Sequence, residues 1–240
     1  VHAILDRPDV RNAIDQQLVD ELHALCEKLE NQPRLLVLSG AGGTFASGAD
    51  IGQLRDRGRD DALQGINTRI FQRIAALPMP VIAAIDGYAL GGGAELAYAC
   101  DFRIASTRAK IGNPEVGLGI IAGAGATWRL LELVGEPVAK EILLAGRVLT
   151  ASEAFDLRLV SEIVEPGDLL PAADALADRI LTNDPAALMA TKRVLAAPRS
   201  AHPQVDLEEQ AILFESDTKR VRMTAFLEGR TKAKHKEKNT

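Results

Sequence analysis

Aromatic residues make up only 4% of this 240-residue chain, so its core has to be filled by Ala, Leu, Ile and Val. Cysteine is nearly absent: Cys26 and Cys100 stand far apart, each in an apolar setting. There is no C-x-x-C, no paired Cys/His spacing and no H-E-x-x-H, which argues against zinc or any other resident metal. Isolated thiols fit a reducing compartment, and a cytoplasmic location is expected. No apolar run approaches the roughly 18 residues of a membrane span. A P-loop lysine and a G-x-S-x-G elbow around Ser47 are missing, and none of the histidines sits in a recognisable catalytic motif. The formal net charge of -5 argues against a general nucleic-acid surface, although Arg230–Lys238 is locally basic. The chain enters at Val1 in what reads as mid-strand, which leaves room for an upstream segment.

What is present is an ordinary globular composition, 47% apolar and 25% charged, enough for one large domain with a helical appendix. Asp15 reads as an N-cap, and Leu18, Leu22, Leu25, Cys26 and Leu29 form one apolar stripe at helical period, ended by Gln32-Pro33. Leu35–Leu38, Val81–Ile85, Phe102–Ala105 and Leu159–Val164 read as strands. Helices are expected over Asp61–Leu77, Ala94–Cys100, Ala126–Val134 and Pro137–Leu144. Beyond Pro166 the pattern is helical only, over Leu169–Thr182, Pro185–Ala196 and Pro203–Gly229. The alternation predicts an α/β core over residues 1–170 and a helical region over 171–240. Arg73, Arg103 and Arg129 read as braces of helices and salt bridges.

Three stretches could carry chemistry: Phe45-Ala-Ser-Gly-Ala-Asp-Ile51, Gly87-Tyr-Ala-Leu-Gly-Gly-Gly-Ala-Glu-Leu96 and Asn113-Pro-Glu-Val-Gly-Leu-Gly119. The first two are glycine-rich turns between a strand and a helix. Such turns bring backbone N–H groups close to a ligand, and helix N-termini add free donors. Two of them together could hold a developing oxyanion. Taken singly, each turn also fits tight packing, Glu95 fits a helix-start carboxylate and Glu115 a turn residue.

In combination the three stretches resemble the enoyl-coenzyme A hydratase/isomerase (crotonase) superfamily. The likeness begins at Asp6-Arg7-Pro8 and Asn12-Ala13. It runs through the three motifs, Gly123–Thr127 and Leu149–Ala154 to Met223–Phe226. The resemblance implies a crotonase-type α/β fold, a spiral of repeated ββα units with a C-terminal helical trimerisation region, assembled as a homotrimer or a dimer of trimers. It implies an acyl-CoA thioester as substrate and no separate cofactor, coenzyme A being part of the substrate. By the same resemblance the backbone N–H groups of Ala49 and Gly92 form an oxyanion hole. Glu95 and Glu115 are the catalytic pair, Glu95 the base toward water and Glu115 the acid toward C2. Ser47, Asp50, Ile51, Gly52, Gly91, Pro114 and Gly123 fall in substrate-binding positions, the loop Ser47–Gly52 along the adenine and Gly123 offering another N–H at the start of a helix.

The implied reaction is syn addition of water across the C2=C3 bond of a 2-enoyl-CoA. The alternatives are an enoyl isomerase or another crotonase-type reaction, and a non-catalytic binder of acyl-CoA or RNA that uses the basic segment. Departures from the family pattern are Ala122 in place of a frequent proline, Gly52 in place of a lysine in some hydratases, and Trp128 in place of a smaller polar residue. Trp128 is expected to fill core; the rival reading is that it narrows the acyl pocket.

Overall fold

The computed structural model describes the backbone of residues 1–237 and side chains through 229, so the basic stretch Arg230–Lys238 lies outside the described side chains. The chain divides into two compact units, Val1–Ile180 and Leu181 onward.

In the first unit β1 (His2–Leu5) leads to α1 (Gln16–Asn31), capped as expected: the Asp15 carboxylate accepts from the Leu18 N–H at 2.9 Å. Strand β2 (Leu36–Gly40) is followed by three short helices, α2 (Ile51–Asp56), α3 (Arg59–Gln64) and α4 (Ile66–Ala75). The single helix expected over 61–77 is therefore broken, because Gly65 adopts a left-handed conformation (φ 62°, ψ 45°) that ends α3 and starts α4. Next come β3 (Val81–Ile85), β4 (Tyr88–Leu90), α5 (Gly92–Ala99), β5 (Phe102–Ser106) and β6 (Lys110–Gly112). A π-helical turn at Ala126–Leu130 runs into α6 (Leu131–Val134), then α7 (Glu136–Ala145), β7 (Val148–Thr150), α8 (Ala151–Asp156), β8 (Glu162–Val164) and α9 (Leu169–Leu181).

Strands β1-β2-β3-β5-β8 form a parallel sheet, with Val37 opposite His2 and Ile82 opposite Val37. The residues of β3 are buried without exception, as a sheet covered on both faces requires. A second sheet, β4-β6-β7, takes the strands that follow β3 and β5. From β3 to β6 the strands alternate between the two sheets, and β3, β4 and α5 make one ββα unit.

Helix α5 has nearly all its residues buried, and its small side chains are what allow this. Its C-terminal carbonyls are met by Arg103, whose guanidinium donates to Cys100 O at 2.7 Å, Ala97 O at 3.3 Å and Leu159 O at 2.7 Å. A cation at that end of a helix satisfies orphan carbonyls and complements the dipole. Arg73 grips Glu30, and Arg129 grips Glu132 and reaches Tyr98 O, so all three arginines act as braces. Both cysteines are buried, and burial pushes the Cys26 thiol up to about 11.

The second unit contains α10 (Pro185–Ala196), α11 (Gln204–Phe214) and α12 (Asp217–Glu237). The helix expected over 203–229 is interrupted at Glu215-Ser216, where Ser216 accepts from the Lys219 N–H and starts a new helix. Arg193 clamps Glu209 with bonds of 2.7 and 2.6 Å, tying α10 to α11. Leu195, Leu207, Ile212, Val221 and Phe226 are exposed. Among the described residues no helix is long and apolar enough to cross a membrane.

Candidate active site

Two loops of the first unit meet. In the first, Ile14 donates to Gly48 O at 2.8 Å and accepts from Asp50 N at 3.0 Å, so the intervening Ala49 is bridged to Ile14 on one edge only. By strand geometry the Ala49 N–H then points to the opposite side. In the second loop Gly91 caps α5 and Gly92 is its first residue, whose N–H has no intrahelical acceptor. Among the described residues neither the Ala49 nor the Gly92 N–H has a hydrogen-bond partner.

The three consecutive glycines do three different jobs. A Cβ on Gly93 would stand 2.1 Å from Ala46 O, so Gly93 is demanded by packing. Gly91 sits at φ 52°, a conformation side chains rarely adopt, and a Cβ there would approach Glu115 Oε1 to 3.1 Å. Neither reason holds for Gly92: a Cβ would meet Ala49 N and Asn67 Nδ2 at 3.5 Å, ordinary contact. Packing does not require glycine there, yet a side chain would intrude between two unpaired donors.

Glu95 lies one turn into α5 and is only 4% exposed. Its Oε1 accepts from the Ala124 N–H at 2.7 Å and the Ala126 N–H at 3.1 Å. Burial pushes its pKa up to about 7; the backbone N–H bonds oppose the rise, and the Glu115 charge adds to it. Glu115 opens the short 3-10 turn Glu115–Leu118 after β6 and is 9% exposed. Its Oε1 accepts from Asn113 Nδ2 at 3.3 Å, while Oε2 is buried and has no partner among the described residues. Burial raises its pKa too, against the Asn113 bond that lowers it.

The other residues singled out in the sequence divide. Asp50 is the N-cap of α2, accepting from Gln53 N at 3.0 Å, and Ile51 and Gly52 are exposed at that helix start. Ser47 is half-buried, its N–H donating to Arg11 O at 3.0 Å. Pro114 is exposed and caps the turn that presents Glu115. Gly123 is not at a helix start: Gly125 is the cap and the helix begins at Ala126, so the N–H groups that reach Glu95 are those of Ala124 and Ala126. Trp128 is 43% exposed and does not fill core. Asn113, Tyr98 and Asn67 were given no role in the sequence reading. Asn113 could have been suspected from its place two residues before Glu115, and Tyr98 from standing three residues after Glu95 on one helix face. Nothing in the sequence marks Asn67, whose buried Oδ1, beside Gly92, has no partner among the described residues.

A family model described as enoyl-CoA hydratase/isomerase matches residues 2–238. The chain belongs to the enoyl-CoA hydratase/isomerase family. It is 37% identical over 239 residues to the short-chain-enoyl-CoA hydratase of Clostridium acetobutylicum, covering 94% of this chain and 90% of that one. It is 38% identical over 237 residues to the crotonyl-CoA hydratase of Syntrophomonas wolfei, with the same coverage. The crystal structure of the Bacillus anthracis enoyl-CoA hydratase superposes with a TM-score of 0.90 at 32% identity, over 95% of this chain and 92% of that one. This family member thus has the crotonase-type α/β fold expected from its motifs.

Proposed function

We propose that the chain is a hydro-lyase that adds water to the C2=C3 bond of a 2-enoyl-CoA thioester. The observation that carries the reading is the pairing of two unpartnered N–H groups with two buried glutamates, each of which has one oxygen already tied. The Ala49 and Gly92 N–H groups donate to the thioester oxygen as it becomes an enolate, each worth about 3–4 kcal/mol by comparison with other oxyanion holes. Glu95 Oε1 is occupied by two amides and Glu115 Oε1 by Asn113, which leaves the two Oε2 atoms to face one water. Water oxygen bonds to C3 while its proton passes to Glu95, and Glu115 delivers a proton to C2. The bound product is a neutral 3-hydroxyacyl thioester, and the pair has exchanged which member is protonated.

An isomerase would move a proton between C2 and C4 with one carboxyl, leaving the second buried glutamate without a task. The exposed apolar residues of α10–α12 support assembly through the helical unit as a trimer or a dimer of trimers. The two buried cysteines, far apart in sequence, support a reducing, cytoplasmic setting. The test is loss of the enoyl-thioester absorbance of crotonyl-CoA, with the Glu95→Gln/Glu115→Gln double variant as control. Loss in the wild type alone, with 3-hydroxybutyryl-CoA formed, upholds the reading; binding without loss overturns it.

A further inference from the structure

Asn113, 1% exposed, spends both ends of its amide inside the site. Its Oδ1 accepts from the Tyr98 hydroxyl at 3.0 Å. Its Nδ2 carries two protons and has two acceptors, Gly91 O and Glu115 Oε1, each at 3.3 Å. Rotated by half a turn, the same amide would set Oδ1 against two acceptor oxygens. Tyr98 is fully buried, and burial with the nearby carboxylates pushes its pKa up, so the hydroxyl keeps its proton and donates. That donation selects one of the two amide orientations.

Gly91 O and Gly92 N belong to one peptide unit. A donor on that carbonyl polarises the unit and makes its N–H a better donor, because hydrogen bonds in series strengthen one another at low dielectric. One amide therefore touches both the carboxyl of Glu115 and the far end of the peptide whose N–H faces the oxyanion.

We propose that Asn113, oriented by Tyr98, is a positioning residue that sets the Glu115 carboxyl and the Gly91–Gly92 peptide as one unit. It leaves Glu115 Oε2 as the oxygen that exchanges the proton, and it strengthens the Gly92 donor. The inference rests on the hydratase reading and deepens it. Helix α5 then carries the Gly92 N–H, Glu95 and the Tyr98 hydroxyl that aligns the opposite wall.

The experiment compares the full chain with Tyr98→Phe, which removes a single oxygen, and with Asn113→Leu. It measures kcat and KM for crotonyl-CoA and the carbonyl stretching frequency of bound butyryl-CoA, which has no double bond to hydrate. Tyr98→Phe is expected to lower kcat about tenfold, the effect of about one lost hydrogen bond, with KM changed less than about twofold. It should also move the carbonyl band toward its position in free thioester; Asn113→Leu should do both more strongly. Unchanged kcat and band in Tyr98→Phe, with only an earlier melting point, would reduce the network to packing and overturn the proposal. If Asn113→Leu fails to fold, Tyr98→Phe decides alone. A wild type that binds butyryl-CoA without hydrating crotonyl-CoA sinks the hydratase reading, and the band comparison still decides the role of Asn113. A wild type that binds neither thioester overturns both.

Discussion

The two glutamates of the site are held in different ways. Glu95, on α5, is fixed by the backbone N–H groups of Ala124 and Ala126, contributed by a segment 29 to 31 residues further on. Glu115, on a 3-10 turn, is fixed by a side chain, the amide of Asn113. A backbone donor survives any substitution except proline, whereas a side-chain donor can be deleted by one change. The Glu95 half of the site is therefore robust to mutation, and the Glu115 half is the one that sequence variation can tune.

The largest effect expected comes from removing the carboxylates themselves. Glu95→Gln and Glu115→Gln should each lower hydration by about 10²–10⁴-fold, read as kcat on crotonyl-CoA. Near-normal turnover in either variant would break the paired mechanism. Gly92→Pro removes the N–H from a first-turn position where proline is tolerated, and should cost about 10²–10³-fold in kcat. A folded Gly92→Pro enzyme with full activity would dismiss that donor.

Glu95 makes the comparison sharper through stability. Its folded pKa of about 7 lies above the 4.5 of an ordinary glutamate, so between those pH values the native state binds more protons than the unfolded one. Stability from this group falls as pH rises from 4.5, and the full cost is present above 7. Glu95→Gln should therefore stabilise the fold at pH 8 by about 3 kcal/mol and leave it unchanged at pH 4, read from urea midpoints. Hydration needs Glu95 ionised and Glu115 protonated, so activity in the wild type should rise as pH approaches about 7 and fall at higher pH once Glu115, whose pKa is also raised, gives up its proton; a rate that stays flat from about pH 5 to 9 contradicts the paired roles. The smallest effect belongs to Ala124→Gly, which keeps the N–H: kcat should stay within about twofold. A large loss there would mean that the methyl group, not the backbone, holds Glu95.

Much of this was legible in the residues. The cap at Asp15 and the apolar spacing fixed α1, and Pro185–Ala196 was placed residue for residue because Asp184-Pro185 marks its start. The second sheet was not legible, since β4, β6 and β7 are three residues each and show no period. The breaks at Gly65 and Ser216 were also missed, because apolar spacing continues across them while the backbone does not. Of the site, the glycine turns and glutamates could be named through a resemblance. Their hydrogen-bond partners could not, because the bonds from Ala124 and Ala126 to Glu95 join segments whose proximity only the fold creates.

Trp128 has a practical meaning that its burial alone does not suggest. It is the single tryptophan of the sequence, it is 43% exposed, and it stands two residues beyond the Ala126 N–H that holds Glu95. Its indole emission is then an unlabelled optical signal from the glutamate-holding segment. With only two tyrosines besides, almost nothing else in the chain emits in that window.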